Sequence, residues 1–346
     1  MKIYKKSFAS DNNAIVHPGI MDALQKANDC HVLSYGDDPF TQSAINRFKE
    51  VFGEEIEVFF VYNGTGANIT GLAAALMPYQ AVICTESAHI YVDECGAAER
   101  FIGCRLIPVP SGDGKLYPEQ IRPLLHVLGE QHHSQPGVIS ITQSTEVGTV
   151  YRIEELKALT EFAHSNNLLV HMDGARIANA AAYLGTSLKA LTLDAGIDIL
   201  SFGGTKNGLM FGEAVVFFNR KLAHNYKYIR KQGMQLASKM RYIAVQFDAL
   251  LENQLWLENA KRANAMAALL ASEVGKIPGI RITHPVEANG VFAEMPKAAA
   301  EKLMEKYFFY PWNPEKNEYR WMTSFDMDEE DIMEFAETVR SVMKHL

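Results

Sequence analysis

The chain has 346 residues and a mass of 38.6 kDa, enough for one large core plus a smaller domain but not for three full domains. Hydrophobic residues make up 48% and charged residues 21%, and 33 basic against 41 acidic side chains leave a net charge of −8. That is a globular composition with no footprint for nucleic acid or an anionic membrane. The four cysteines, Cys30, Cys84, Cys95 and Cys104, show no C-x-x-C spacing and read as reduced thiols of a cytoplasmic protein rather than a disulfide framework.

The basic start, with Lys2, Lys5 and Lys6, has no apolar stretch behind it, so no signal peptide is expected. No apolar run approaches the roughly 20 residues of a transmembrane helix. From residue 57 to about 218, strand-like apolar runs alternate with amphipathic ones. Strands are predicted over 58–62, 81–85, 105–109, 138–143, 168–172, 197–202 and 214–218, and helices over 67–77, 118–129, 153–165 and 175–184. Such alternation predicts an α/β fold, a mostly parallel sheet with helices on both faces. After residue 219 the pattern changes. A long helical stretch rich in Ala, Leu and Met is expected over 235–275, then short strands at 281–283 and 291–294 and a helix over 298–307. A strand near 319–325 and a last helix over 329–345, with Asp328 as its N-cap, complete the chain. These signals divide it into a large domain, residues 1–235, and a smaller C-terminal α+β domain, residues 236–346, with an extensive interface because no Pro/Gly/Ser-rich linker joins them.

Three strand ends carry chemistry. Asn63-Gly64-Thr65-Gly66-Ala67-Asn68 opens a helix directly after a strand. Its glycines and the helix N-terminus suit a phosphate, although an ordinary strand-to-helix turn reads the same way. It matches neither the P-loop nor the full dinucleotide fingerprint. Asp173, in His171-Met172-Asp173-Gly174-Ala175-Arg176, ends a buried strand where open α/β sheets bind ligands; a helix N-cap or an ion pair with Arg176 is the alternative. Lys206, in Gly203-Gly204-Thr205-Lys206-Asn207-Gly208, follows the next strand, either as a desolvated amine nucleophile or as a solvated charge. A lysine for a Schiff base, a carboxylate for a pyridinium nitrogen and a phosphate cradle are together what pyridoxal phosphate chemistry needs. His89 is a candidate to stack on the ring, or an ordinary loop histidine.

With Ser10-Asp11, Tyr35-Gly36-Asp37-Asp38-Pro39, Gly64-Thr65 with Asn68, His89 followed by Glu94, Asp173-Gly174-Ala175-Arg176, Gly203-Gly204-Thr205-Lys206 and Arg320, the chain resembles the low-specificity L-threonine aldolases. These belong to the β-eliminating-lyase group of aspartate-aminotransferase-like, fold type I enzymes. The resemblance implies a lyase that uses pyridoxal 5'-phosphate to cleave threonine, allo-threonine or related β-hydroxy-α-amino acids to glycine and an aldehyde. It implies Lys206 as the Schiff-base lysine, Asp173 at the ring nitrogen, His89 on the ring face, and Gly64, Thr65 and Asn68 in the cofactor site. Arg176 is implied near the ring's phenolic oxygen and the substrate carboxylate, with Ser10 and Arg320 completing the carboxylate site, and no metal is implied. A homodimer or homotetramer with shared active sites is implied too. A β-eliminating lyase or aminotransferase on the same scaffold, or a cofactor-free binding protein, is the alternative.

Two departures stand out. Thr145 occupies the place of a histidine that handles the β-hydroxyl in many family members, as in a branch that includes phenylserine aldolases. Glu146, His89, His171 or a water are the remaining bases. The cation expected from a neighbouring subunit does not align at Gln235, where Lys239 or Arg241 are the substitutes or ordinary helix-face charges.

Overall fold

Seven strands form the central sheet of the computed structural model, which describes residue 4 and residues 6–345. The other residues, and with them much of the basic N-terminal run, lie outside the described part. The strands are β1 (Glu57–Val61), β2 (Gln80–Thr85), β3 (Arg105–Val109), β4 (Gln135–Thr142), β5 (Leu169–Gly174), β6 (Ile199–Gly203) and β7 (Glu213–Phe217), in the order β1-β7-β6-β5-β4-β2-β3. Only β7 runs against its neighbours, β1 and β6; every other pairing is parallel. The start of β7 therefore lies beside the carboxyl ends of β1 and β6, with Glu213 opposite Val61 and Gly203. Every residue of β6 and β7 is buried, as strands covered on both faces must be.

Helix α1 (Pro39–Phe52) precedes the first strand, outside the alternating pattern. Asp38 caps it, its Oδ1 accepting the Thr41 N–H at 2.8 Å, and Phe48 and Phe52 pack against Phe202 of β6. Next come α2 (Gly64–Ala73), α3 (Ile153–Ser165), α4 (Ile177–Leu184), α5 (Arg241–Leu251), α6 (Leu255–Val274) and α7 (Glu329–Lys344). The stretch 118–129 differs from expectation. Only Pro118–Ile121 is α-helical, and Arg122–Val127 tightens to a 3₁₀ turn because Pro123 has no N–H to continue the ladder. The single helix expected over 235–275 is two, α5 and α6. They are parted where Asn253 and Gln254 take left-handed φ values of 51° and 60°. The break lets α5 lie on α1 while α6 turns to pack on α4 and α7.

A second, antiparallel sheet holds β8 (Arg281–Ile282), β9 (Gly290–Glu294), β10 (Tyr310–Asn313) and β11 (Glu318–Met322), in the order β10-β11-β9-β8; β10 has no counterpart in the sequence reading. Its core gathers Phe8, Phe309, Trp321 and Phe335. Phe8 reaches it from the far end of the chain. Its N–H donates to Phe308 O at 2.9 Å, its carbonyl accepts the Met322 N–H at 2.8 Å, and its ring lies 4.1 Å from Phe335. Helix α6 bridges the two cores, with Trp256 and Ala260 in the large one and Met266 to Val274 in the small one. Helix α7 starts at Asp328 as expected, the Asp328 Oδ1 accepting the Asp331 N–H at 2.9 Å. No helix among the described residues is long and apolar enough to cross a membrane.

Candidate active site

Asp173 is the last residue but one of β5, in register with Thr142 of β4 and Ser201 of β6, so it stands at the carboxyl edge of the sheet. Gly174 follows because a Cβ there would lie 2.6 Å from Leu200. Asp173 Oδ1 accepts the Ala175 N–H at 2.9 Å, and Oδ2 accepts Asn68 Nδ2 at 2.8 Å. The same Asn68 nitrogen donates to Glu94 Oε1 at 2.9 Å, so two carboxylates fix which way the amide points. Glu94 Oε1 also meets His89 Nδ1 at 2.9 Å. That hydrogen bond is the main reason the His89 imidazole holds its proton more tightly than usual; burial opposes it, and the charges of Asp173 and Glu94 assist.

The turn before α2 is built by its cap. Asn63 Oδ1 accepts the Gly66 N–H at 2.7 Å and Asn63 O accepts the Ala67 N–H at 3.0 Å. The amides of Gly64 and Thr65 are left without an intrahelical partner, as at any helix start. A Cβ on Gly64 would meet nothing, whereas one on Gly66 would lie 2.3 Å from the Gln235 side chain. Gln235 in turn accepts the Tyr62 N–H at 3.0 Å. It backs the cradle of its own chain with an amide; the cation that the resemblance implies belongs to a neighbouring subunit. Within this chain Lys239 and Arg241 line a separate hollow with residues 31–34.

Lys206 sits in the short turn Thr205–Asn207 after β6. A Cβ on Gly203 would come within 2.5 Å of Ala175 O, so a glycine there lets the lysine loop press against the turn that holds Asp173. Burial is the main cause that lowers the pKa of the Lys206 amine; Arg176 adds to it, and Asp11, Asp173 and Glu213 oppose. Lys206, Asp173, His89, Asn68, Gly64, Thr65 and Arg176 all face one cavity of about 440 Å³.

Arg176 and Arg320 meet beside that cavity, across a small notch that both line. Arg176 is gripped by Asp11, Nε to Oδ2 at 2.7 Å and Nη2 to Oδ1 at 2.8 Å, and Asn289 Nδ2 donates to Asp11 Oδ2 at 3.0 Å. Burial alone would raise the Asp11 carboxyl; the Arg176 charge and hydrogen bonds, with Lys206 and Asn289, hold it below its usual value. Arg320 is freer. Its Nη2 donates to Ala9 O at 3.4 Å, its guanidinium lies 5.2 Å from the centre of the Trp312 ring, and its buried Nε has no partner. Burial and the nearby Arg176 push its pKa down to about 10. Ser10 lies between the residues that touch the two arginines, its Oγ accepting the Asn12 N–H at 3.2 Å.

Thr145 lines the arginine notch but not the main cavity. Its Oγ1 pairs with Thr149 Oγ1 at 2.7 Å, which donates to Asp113 O at 2.6 Å. Glu146 takes the wall instead and also lines the arginine notch. Its Oε1 accepts Thr142 Oγ1 at 2.7 Å and the His89 N–H at 2.9 Å, Oε2 is unpartnered, and burial raises its pKa. His171 lies inside the sheet, Nδ1 to Ser140 Oγ at 2.9 Å and Nε2 to Ser201 Oγ at 3.0 Å, and burial pushes its pKa down to about 4. Asp11, Glu146, Asn289 and Glu213 are the site residues to which the sequence alone gives no fixed role. The one available signal was an acid, Glu213, opening the otherwise apolar strand β7.

The beta-eliminating lyase family model matches residues 7–298. The low specificity L-threonine aldolase of Pseudomonas sp. (strain NCIMB 10558) is 45% identical over 339 residues, 98% of each chain. The enzyme of the same description from Pseudomonas aeruginosa is 44% identical over 99% of each. The solved structure of Leishmania major threonine aldolase superposes with a TM-score of 0.93 at 30% identity, over 99% of this chain and 100% of that one. On the family match and near-full-length identity, this chain belongs to the beta-eliminating lyase family, among the low-specificity L-threonine aldolases.

Proposed function

We propose that this chain is a pyridoxal phosphate-dependent lyase that cleaves threonine, allo-threonine or related β-hydroxy-α-amino acids into glycine and an aldehyde. The observation that carries the reading is the convergence of a buried lysine amine and a carboxylate on one cavity beside a helix N-terminus. The cavity suits the cofactor. Asp173 uses two of its roughly four acceptor positions on Asn68 and Ala175, which leaves room for a protonated ring nitrogen. The space beside Gly64 is open and the start of α2 favours an anion. His89 offers a flat ring on the cavity wall, and Lys206 is buried enough to be an effective nucleophile.

When bound, the cofactor supplies an electron sink for the pair left as Cα–Cβ breaks. The chain supplies the rest. Asp173 holds the ring-nitrogen proton. Arg320, with free donors and a second guanidinium at its side, takes the substrate carboxylate, while Asp11 holds Arg176 in place. Glu146, between the cavity and the arginine notch, receives the β-hydroxyl proton; His171 has both ring nitrogens engaged inside the sheet.

We propose further that the enzyme is a cytoplasmic homodimer or homotetramer with shared sites. Free thiols at all four cysteines support the compartment. Exposed Phe101 and Met234, which line a hollow with Asn63, Thr65 and Gly66, support a partner surface beside the cradle. Incubation of the cofactor-loaded protein with threonine and phenylserine tests the function. Glycine and the matching aldehyde should accumulate in equal amounts; a keto acid with ammonia would point to elimination instead.

A further inference from the structure

Glu213 is an acid in an unusual place. It opens β7, whose other residues are Ala214, Val215, Val216 and Phe217, and it is buried. The antiparallel pairing sets it opposite Gly203, the last residue of the strand that leads to Lys206. From there its side chain reaches over the end of β6, and Oε2 accepts the Gly204 N–H at 2.8 Å. Gly204 itself is tightly enclosed, since a Cβ would lie 2.3 Å from Leu209. The carboxyl thus clasps the loop two residues before the lysine and shares the wall of the lysine's cavity. A clasp alone could be made by a neutral side chain. An acid is costly to bury unless a positive charge answers it.

We propose that Glu213 is a positioning residue whose carboxylate helps to hold the proton on the Lys206 nitrogen. The inference rests on the reading of Lys206 as the cofactor lysine. The titratable and charged groups around that nitrogen come from four parts of the chain: Asp11 from the N-terminal segment, His89 after β2, Asp173 and Arg176 from the end of β5, and Glu213 from β7. The charges of Asp11 and Asp173 act on that nitrogen more strongly than Glu213 does, but Asp11 is held by Arg176, and Asp173 by Asn68 and Ala175. Glu213 alone of these acids is fixed to the lysine's own loop. Burial pushes its carboxyl up to about 7, so it changes charge around neutral pH. While ionised it favours the proton on the Lys206 nitrogen; once protonated it lets that proton go. No outside reactant is needed, since the step moves only protons between this pair and water.

The test is a pH titration of the visible absorbance of the bound cofactor, with unfolding temperature recorded as a check on the fold. Glu213→Gln keeps an oxygen for the Gly204 N–H and removes the charge. Its absorbance midpoint should fall by roughly 1–2 pH units, the usual effect of losing an opposite charge nearby. Glu213→Asp keeps the charge but draws it back from the loop, so its midpoint should fall by less. An unmoved midpoint in folded Glu213→Gln overturns the assignment and leaves a structural clasp. If the Gln variant does not fold, an Asp variant with the wild-type midpoint overturns it equally. A wild-type protein that takes up no cofactor on Lys206 would instead defeat the reading beneath it.

Discussion

Asp173 could have been no more than a helix cap, and its Oδ1 does hold the Ala175 N–H. Its Oδ2 is what separates the readings, because the side chain lines the cavity and this oxygen is steadied by an asparagine that also ties Glu94 and through it His89. Asp173→Asn should therefore keep the cofactor but lose turnover by at least about 10²-fold, comparable to removing a preorganised electrostatic group. Near-normal kcat would reduce Asp173 to its capping role. Arg320 makes a sharper case. Its buried Nε has no partner, and Arg176 stands beside it, so the guanidinium has a donor to offer a carboxylate. Arg320→Ala should weaken substrate binding by about 2–5 kcal/mol, read as a steep rise in KM with the cofactor absorbance unchanged. Arg320→Lys should recover only part of it, since a point charge cannot replace a two-pronged donor. Loss of cofactor from the Ala variant would assign Arg320 to the cofactor site instead. Lys206, Asp173 and the Gly64 turn are legible in the sequence because each directly follows an apolar run. The grip of Asp11 on Arg176 is not, because the two are 165 positions apart. The resemblance implies Arg176 near the ring's phenolic oxygen and the substrate carboxylate; in the structure Asp11 engages two of its nitrogens.

The N-terminal segment acts as an element although it contains little regular structure. Phe8 is pinned into the small core, Ala9 O meets Arg320, and Asp11 grips Arg176 three residues after Phe8. A buried ring thus fixes the position of a charged pair in the site. Phe8→Ala should cost about 3–5 kcal/mol of stability, as truncation of a buried aromatic does. It should also raise KM, because Asp11 and Ala9 lose their anchor. A stability loss with unchanged KM would show that the segment holds the arginines without Phe8. The strands and helices between residues 57 and 218 follow their hydrophobic periods closely, and β3 and α3 keep the boundaries expected of them. What periodicity missed has local causes. Pro123 cut one helix short, and the left-handed Asn253 and Gln254 divided another whose two halves face different neighbours. Strand β10 contains Pro311, pairs only with β11, and has two largely exposed residues, so no alternation marks it.

At the scale of the molecule, the site is where two sheets and the chain's beginning meet. The large sheet presents Asp173, Lys206 and Glu213 along one edge, the small sheet brings Arg320, and residues 9–11 run between them. The near-full-length match to the threonine aldolases fits a site drawn from so many parts of the chain. The reaction turns on one nitrogen, that of Lys206, around which Asp11, Asp173, Arg176 and Glu213 are arranged. Reduction of the cofactor-loaded enzyme with borohydride, followed by peptide mapping, measures that directly. The label should fall on the peptide carrying Lys206, and Lys206→Ala should abolish it. Label on Lys221 or Lys239, or retention of label in the Lys206→Ala protein, would contradict the account.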